Sequence, residues 1–139
     1  MANMVCGAVD SIVVVVHSSG PPSSAEWQAG VDLLSSIERR AGIDATRSLI
    51  FTDGGGPNYS QRQALNKALR GRSVTAAVVS ANAFVRGIVA GLNLFNPDVK
   101  TFQPEALERA FDHLRLTSAQ RKHVLRTLEK LRANMRRGV

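Results

Sequence analysis

The sequence predicts an α/β fold in which four strands form a mainly parallel sheet with helices interleaved between them. Three observations support this prediction. Short apolar runs alternate with longer amphipathic segments along the whole chain. The connections are a few residues long, and strands that alternate with helices in this way usually form parallel sheets. No repeat or linker divides the chain, so residues 1–139 are expected to form one domain, with a core unit over 10–115 and a C-terminal helix over 117–137.

The first strand is predicted over Ile12–Val16, because its β-branched residues show no polar alternation, which is typical of a strand covered on both faces. Ser23 and Glu26 then have the spacing of a capping box, so a helix is expected from about residue 24 to 40. Its apolar residues recur at helical intervals and should pack on the sheet. They are Trp27, Val31, Leu34, Ile37 and Ala41.

The next two strands are predicted over Ser48–Thr52 and Val74–Val79, both of them apolar. Between them lies a glycine-rich turn over residues 53–57. Asn58 or Ser60 can then cap a second helix. The residues of this helix expected to face inward are Ala64, Leu65, Ala68 and Leu69.

The third helix is predicted over Ala83–Phe95 and should end at Asn96-Pro97. Its spacing predicts an inward stripe of Phe84, Ile88, Gly91, Leu92 and Phe95. A short edge strand, two further helices and their start signals complete the pattern. These are the strand Val99–Phe102, the helix Pro104–Leu114, a capping box of Thr117 with Gln120, and a last helix from about Ser118 to Arg136.

Composition limits the classes of protein that fit. The chain has 139 residues, a net charge of +7 and a single cysteine, Cys6, so no internal disulfide can form. The longest purely apolar run is strand-sized, and the N-terminus lacks the basic region of a signal peptide. These features predict a cytoplasmic protein. Neither composition nor spacing indicates a cofactor or a metal site.

Most of the positive charge lies in the C-terminal part: residues 1–100 carry a net charge of +2, and residues 101–139 carry +5. The last helix is amphipathic, with cations grouped on one side: Lys122, Arg126, Lys130 and Arg137. We expect this helix to pack back on the domain with its basic face in solvent. Dimerisation or an acidic partner are alternatives, whereas membrane and nucleic acid are disfavoured because aromatic residues are missing from the helix.

Four segments resemble STAS domains, the superfamily of sulfate transporter and anti-sigma factor antagonist domains, and related lipid-binding-like domains. They are the apolar strand Ile12–Val16, the strand Leu49–Asp53 ending in an acid, the strand Ala76–Ser80, and Val99–Phe102 followed by Pro104-Glu105-Ala106-Leu107. The resemblance covers most of residues 10–115 and implies a non-enzymatic regulatory module that binds another protein. Anti-sigma antagonists carry a phosphorylatable Ser or Thr followed by Gly in the turn that corresponds to Gly54–Ser60, and Ser60 lacks that glycine.

The predicted partner surface lies on loops that follow adjacent parallel strands, because such loops meet at one edge of the sheet. We also expect Tyr59 to be exposed, since a glycine-rich turn does not oblige it to be buried. The candidate residues are Gly54, Gly55, Gly56, Asn58, Tyr59, Ser60, Gln61, Arg62, Ser80 and Asn82.

Three other hypotheses remain open from the sequence. The glycine-rich turn could bind an anion or nucleotide through backbone N–H groups, although no phosphate-binding motif is present. A small basic binder could be an immunity protein that neutralises a co-produced toxin. An enzyme would need a nucleophile and base, and His17 with a nearby hydroxyl is the candidate pair, but no nucleophile elbow is present.

Overall fold

The structure, a computed structural model, describes residues 2–92 and 98–137, and in the helix that ends at Leu92 it gives no side-chain placement for residues 90–92. The described elements are five strands and five α-helices. The strands are β1 (Met4–Val9), β2 (Ile12–His17), β3 (Arg47–Thr52), β4 (Thr75–Val79) and β5 (Val99–Phe102). The helices are α1 (Ser24–Ala41), α2 (Tyr59–Ala68), α3 (Ala83–Leu92), α4 (Leu107–His113, preceded by a 3₁₀ turn at Pro104–Ala106) and α5 (Ser118–Arg137).

The strands form one mixed sheet in the order β1-β2-β3-β4-β5. The α/β class with interleaved helices is confirmed, but the predicted number of four strands is wrong. The additional strand, β1, pairs antiparallel with β2 through a two-residue turn, in which Asp10 has a φ of 52°. It escaped prediction because it contains Gly7, which weakens the strand signal. In the fold Gly7 faces α5, where an added Cβ would be in ordinary contact with Thr127 Cγ2 at 3.4 Å.

Successive residues of β2 point to opposite sides of the sheet. Val14 and Val16 belong to a core shared with α4 and α5, whereas Val13 and Val15 belong to a second core under α1. We call these two sides the α4/α5 face and the α1–α3 face. Both faces of β2 are buried, as the unbroken apolar run predicts.

Local signals fix the helix starts on the α1–α3 face. Ser23 and Glu26 form the predicted capping box of α1. Asn58, rather than Ser60, caps α2, also with a reciprocal bond from Gln61. On α2, Leu69 just beyond its last turn is buried, Leu65 and Ala68 are half-buried, and Ala64 is exposed, contrary to its predicted inward position.

The orientation predicted for α3 is wrong at two of its large apolar side chains. Phe84 is 75% exposed and Ile88 is 51% exposed. The side chains of Gly91 and Leu92, together with Phe95 and the predicted helix end at Asn96-Pro97, lie outside what the structure describes. An apolar helix of ten residues with one charge has more apolar surface than one sheet edge can cover, so part of it faces solvent.

The C-terminal helix α5 packs against β1 and β2 and places Val124, Leu128 and Leu131 in the core of the α4/α5 face. Its four predicted cations are all exposed, as expected for a solvated basic face. Within the described ranges, no helix has the length and apolar character needed to cross a membrane.

Candidate functional site

Three loops meet at the carboxyl edge of the parallel strands, as the partner-surface prediction requires. They are residues 18–22 after β2, 53–58 after β3 and 80–82 after β4. Gly55 N–H donates to Ser18 O at 2.8 Å, which joins the first two loops. A side chain at Gly55 is excluded, because its Cβ would collide with the backbone oxygens of Ser18 and Gly20.

The third loop is joined to the second through Ser80, whose hydroxyl donates to Thr52 O at 2.8 Å and accepts from Asn82 N–H at 3.1 Å. Asn82 in turn caps α3, since its Oδ1 accepts from Phe84 N–H at 2.9 Å. Ser80 is 2% exposed. It therefore holds the loops together and does not offer its hydroxyl to a partner.

The first loop is fixed from the N-terminal side. Asn3 donates from Nδ2 to Pro21 O at 2.9 Å and accepts from the Ser18 hydroxyl at 2.8 Å. Glu26 accepts from the backbone N–H groups of Ser23 and Asn3. Although partial burial opposes the change, these hydrogen bonds lower the pKa of Glu26 below its usual range. The edge is thus built by residues far apart in the chain.

The glycine-rich turn does not form a cradle of free amides. Gly54 N–H donates to Thr52 Oγ1 at 3.0 Å, and Gly55 N–H is bonded to Ser18. Gly54 has a φ of 133°, which favours glycine. At the start of α2, Asn58 and Gln61 bond to each other's backbone N–H groups. This arrangement weakens the anion-binding hypothesis for the turn.

The remaining predicted residues differ in accessibility. Tyr59, Ser60 and Arg62 are exposed, as are Gly54, Asn58 and Asn82, whereas Gly55, Gly56 and Gln61 are half-buried. Tyr59 is 68% exposed, which confirms the expectation for this side chain. Phe84 and Ile88, which sequence reasoning placed in the core, extend the exposed surface along α3.

Beneath this edge lies an apolar cavity of about 520 Å³ between the sheet and the three helices of the α1–α3 face. Its size falls in the range of about 300–1,000 Å³ typical of small-molecule pockets. The helices contribute Trp27 and Leu34 of α1, Arg62 and Leu65 of α2, and Ile88 of α3, among others. The strands contribute its floor, whose described residues are Met4, Val13, Val15, His17, Ser48, Ile50, Thr52, Val78 and Val99.

Among the described polar residues of the floor, His17 has a buried nitrogen without a hydrogen-bond partner. It is 5% exposed, and its Nδ1 has no hydrogen-bond partner among the residues that the structure describes. Burial lowers the pKa of His17 to about 4, against the opposing effect of the Glu26 charge, so the ring is neutral at pH 7. A buried ring nitrogen without a partner is costly unless something else fills that role.

The residue paired with His17 in the β2–β3 register is Thr52, which carries a hydroxyl. The Thr52 hydroxyl donates to Gly55 O at 2.6 Å, so its proton is engaged in the turn. The Thr52 hydroxyl is therefore not paired with His17 as a nucleophile with its base. Within the described ranges, the acidic, His and Cys side chains also form no cluster of three or more that could hold a metal ion.

The basic face of α5 lies on the opposite side of the sheet from the cavity, because α5 packs on the α4/α5 face. The predicted cations Lys122, Arg126, Lys130 and Arg137 therefore do not join the loop residues in one site. Arg137 contacts Asn134 on its own helix at 2.7 Å.

Sequence reasoning missed the cavity, His17 as its polar group, and the exposure of Phe84 and Ile88. The sequence did contain a signal for the exposure of Phe84 and Ile88. Helix α3 is apolar nearly all round, and such a helix at a sheet edge leaves an apolar side in solvent. The cavity had no sequence signal, since the residues that line it have the ordinary pattern of a core.

Compared with known proteins, the chain matches no protein-family model, no curated protein and no solved structure. The resemblance to STAS domains therefore stays a prediction from the sequence pattern.

Proposed function

We propose that this protein is a non-enzymatic, protein-binding regulatory module of STAS-like type. The observation that carries the proposal is the exposure of three large apolar side chains on the helices that follow β3 and β4: Tyr59 of α2 is 68% exposed, and Phe84 and Ile88 of α3 are 75% and 51% exposed. We call these three residues, together with Arg62, the rim.

The rim has the composition of a protein interface. Aromatic residues and arginine are enriched in the centres of interfaces, and large exposed apolar patches mark interaction sites. Phe84 and Ile88 are one helical turn apart and lie on the same side of α3. Tyr59 lies in the first turn of the neighbouring helix, and its hydroxyl accepts from Gln63 Nε2 at 2.6 Å.

Hydrogen bonds fix the helices that carry the rim, which favours recognition by shape. Asn82 caps α3, Asn58 caps α2, and Trp27 Nε1 donates to Gln61 O at 2.7 Å, which ties α1 to α2. A preorganised surface loses little conformational entropy on binding. We expect the partner to present an apolar centre with acidic residues opposite Arg62.

The STAS-like part of the proposal is supported by element order. Three strands after β2 join the sheet in parallel, each preceded by a helix of the α1–α3 face, and a short helix follows β5. Ser60 is exposed at the start of α2, where the phosphorylated residue of anti-sigma antagonists is expected. Because Ser60 lacks the following glycine, the proposal includes no phosphorylation switch.

The test compares two apolar-to-polar variants on opposite faces. Phe84→Ser removes a rim side chain, and Leu125→Ser removes an exposed leucine of α5 that is 43% exposed. The tagged protein is cross-linked in the cells that produce it and purified at moderate salt, and the captured proteins are identified by mass spectrometry. We expect one stoichiometric protein with wild type and with Leu125→Ser, and its loss with Phe84→Ser.

Equal capture by all three forms would overturn the proposal for this surface. The purified pair is then measured directly, and Arg62→Ala should weaken binding while Arg126→Ala leaves it unchanged. If the captured protein is a second copy of the chain, sedimentation of wild type and Phe84→Ser identifies the rim as a homodimer interface. If it is a toxin, rescue of cells that express the toxin supports the immunity-protein alternative.

A further inference from the structure

The cavity under the rim has a polar end and an apolar end. His17 and Thr52 lie at the last positions of β2 and β3, next to the loops of the carboxyl edge. Arg62 belongs to the first turn of α2 at the same edge. Val13, Leu34 and Val99 line the cavity toward the other end of the strands. Ser48 is a polar side chain at that other end, where Val13, Leu34 and Val99 are apolar.

The charges that line the cavity have one sign. Arg62 is the charged residue among the described residues of the lining, and no acidic side chain lines it. Arg62 is exposed at the mouth, where Nη1 donates to Pro57 O at 3.3 Å, so most of its five N–H donors are free to meet a ligand. The Glu26 carboxylate is near enough to act on His17, but it accepts hydrogen bonds from the Ser23 and Asn3 N–H groups and is not among the lining residues. Among the described lining residues, an anionic head group would therefore meet the Arg62 cation.

His17 supplies the second, independent observation. Its side chain is more than nine-tenths buried and lines the cavity, and Nδ1 has no hydrogen-bond partner in the described part of the chain. The other polar group at this end, the Thr52 hydroxyl, is already engaged with Gly55 O and Gly54 N–H. A ligand that places an oxygen at this end would satisfy the unpaired nitrogen.

We propose that the cavity is a binding site for a small amphipathic carboxylic acid with an aliphatic chain, its carboxyl group at the His17–Arg62 end and its chain along the sheet. The cavity is large enough: a cavity of about 150 Å³ holds benzene, and this one measures about 520 Å³. A medium-length saturated chain with roughly twice the heavy atoms of benzene fits that space. This proposal does not depend on the rim binding a protein.

Trp27 can report ligand binding through its fluorescence, because it is the single tryptophan of the protein and lines the cavity. Decanoic acid is titrated into the protein at concentrations below those at which the acid forms micelles. The fluorescence emission of Trp27 and the midpoint of thermal unfolding are measured. We expect a saturable change in emission and a rise in the midpoint with decanoic acid. Acetic acid, which has the head group without the chain, should give neither.

Variants then distinguish the contribution of the ligand's aliphatic chain to binding from that of its head group. Val78→Phe and Ile50→Phe each place a larger side chain in the cavity, and we expect each to weaken decanoic acid binding by at least roughly tenfold. His17→Phe and Arg62→Gln should each weaken decanoic acid by roughly tenfold while leaving decane, which has no head group, unchanged. Arg126→Gln on the opposite face is the matched control and should bind like wild type.

Two outcomes would overturn the proposal: no response of Trp27 or of the unfolding midpoint to decanoic acid, or full binding by a folded Val78→Phe or Ile50→Phe variant. Circular dichroism of each variant establishes that it is folded. Equal weakening of decane and decanoic acid by His17→Phe or Arg62→Gln would contradict the assigned role of that residue. Loss of partner capture by Phe84→Ser, with decanoic acid binding intact, would keep this site separate from the proposed protein interface.

Discussion

The two faces of the sheet are built from similar residues but reach different packing. On the α4/α5 face, Phe111, Leu114 and Val124 have no exposed surface and fill the space over Val14 and Leu49. On the α1–α3 face, a cavity of about 520 Å³ remains above Val13 and Val15. Both faces start from alternate residues of the same strand, so the difference comes from the helices that cover them.

The comparison indicates which face stabilises the fold and which is available for binding. Protein interiors are normally packed as densely as organic crystals, so a face that keeps a large space gives up dispersion contacts and stability. The α4/α5 face supplies the close packing. The unfilled space, the unpaired His17 nitrogen and the exposed rim all lie on the other side. The following predictions test this division.

The largest effect is expected from a matched pair of leucine-to-alanine substitutions. Leu114→Ala removes a fully buried side chain from the α4/α5 face and should lower the free energy of unfolding by about 4 kcal/mol. Leu34→Ala should cost only about 2 kcal/mol, because Leu34 lines the cavity and has fewer atoms around it to lose. Urea unfolding of both variants measures the difference, and equal losses would contradict the division.

The second effect concerns acid stability. His17 has a pKa of about 4 in the folded protein, below the ordinary value of 6.5. Between these two values the unfolded chain binds more protons, so stability falls as the pH drops through this range, by about 3 kcal/mol in total from this residue. The free energy of unfolding of His17→Phe should lack this part of the decline.

The control for that measurement is His123→Gln on the exposed side of α5. Its stability profile between pH 7 and pH 4 should run parallel to that of wild type. If His17→Phe also ran parallel to wild type, the buried ring would not be the source of the acid sensitivity.

A third test uses two neighbours on β4 that point to opposite faces. Val79, which is 2% exposed, belongs to the closely packed core, and Val79→Phe should destabilise the fold by about 2 kcal/mol through overpacking. Val78 faces the cavity, so Val78→Phe should change the free energy of unfolding by less than about 1 kcal/mol. A larger penalty at Val78 than at Val79 would show that the cavity closes in solution.

The smallest effect on stability is expected at the rim. Phe84→Ser alters a side chain that is 75% exposed, so the free energy of unfolding should change by no more than about 0.5 kcal/mol. Retention on a hydrophobic interaction column should nevertheless fall. A substantial loss of stability would mean that Phe84 packs in the fold and does not serve as a contact surface.

Local signals predicted most of the fold, because they depend on neighbours in the chain. The capping boxes at Ser23 and Thr117 mark the starts of two helices, and the β-branched run of β2 marks the strand that is buried on both sides. Strand β1 was missed because Gly7 weakens its local signal, whereas its position is set by pairing with β2 and by packing against α5.

The site was also predicted only in part. The meeting of the loops around Gly54 and Ser80 follows from the parallel strands, whereas the roles of the individual side chains do not. Ser80 is buried by a bond to Thr52 O, and Phe84 is exposed although its spacing fits a core stripe. Whether a helix covers its apolar residues depends on how far it lies from its neighbours, and sequence spacing carries no information on that distance.

The order of strands in the sheet is also their order in the chain, and this has a consequence for folding. A nascent chain can begin with the β1–β2 hairpin and add one strand at the growing edge with each successive unit, so strand pairings require little long-range search. The exception is α5, which must return across the sheet to cover β1 and β2. The part of the α4/α5 face over β1 and β2 is therefore completed only when α5 packs back on those two strands.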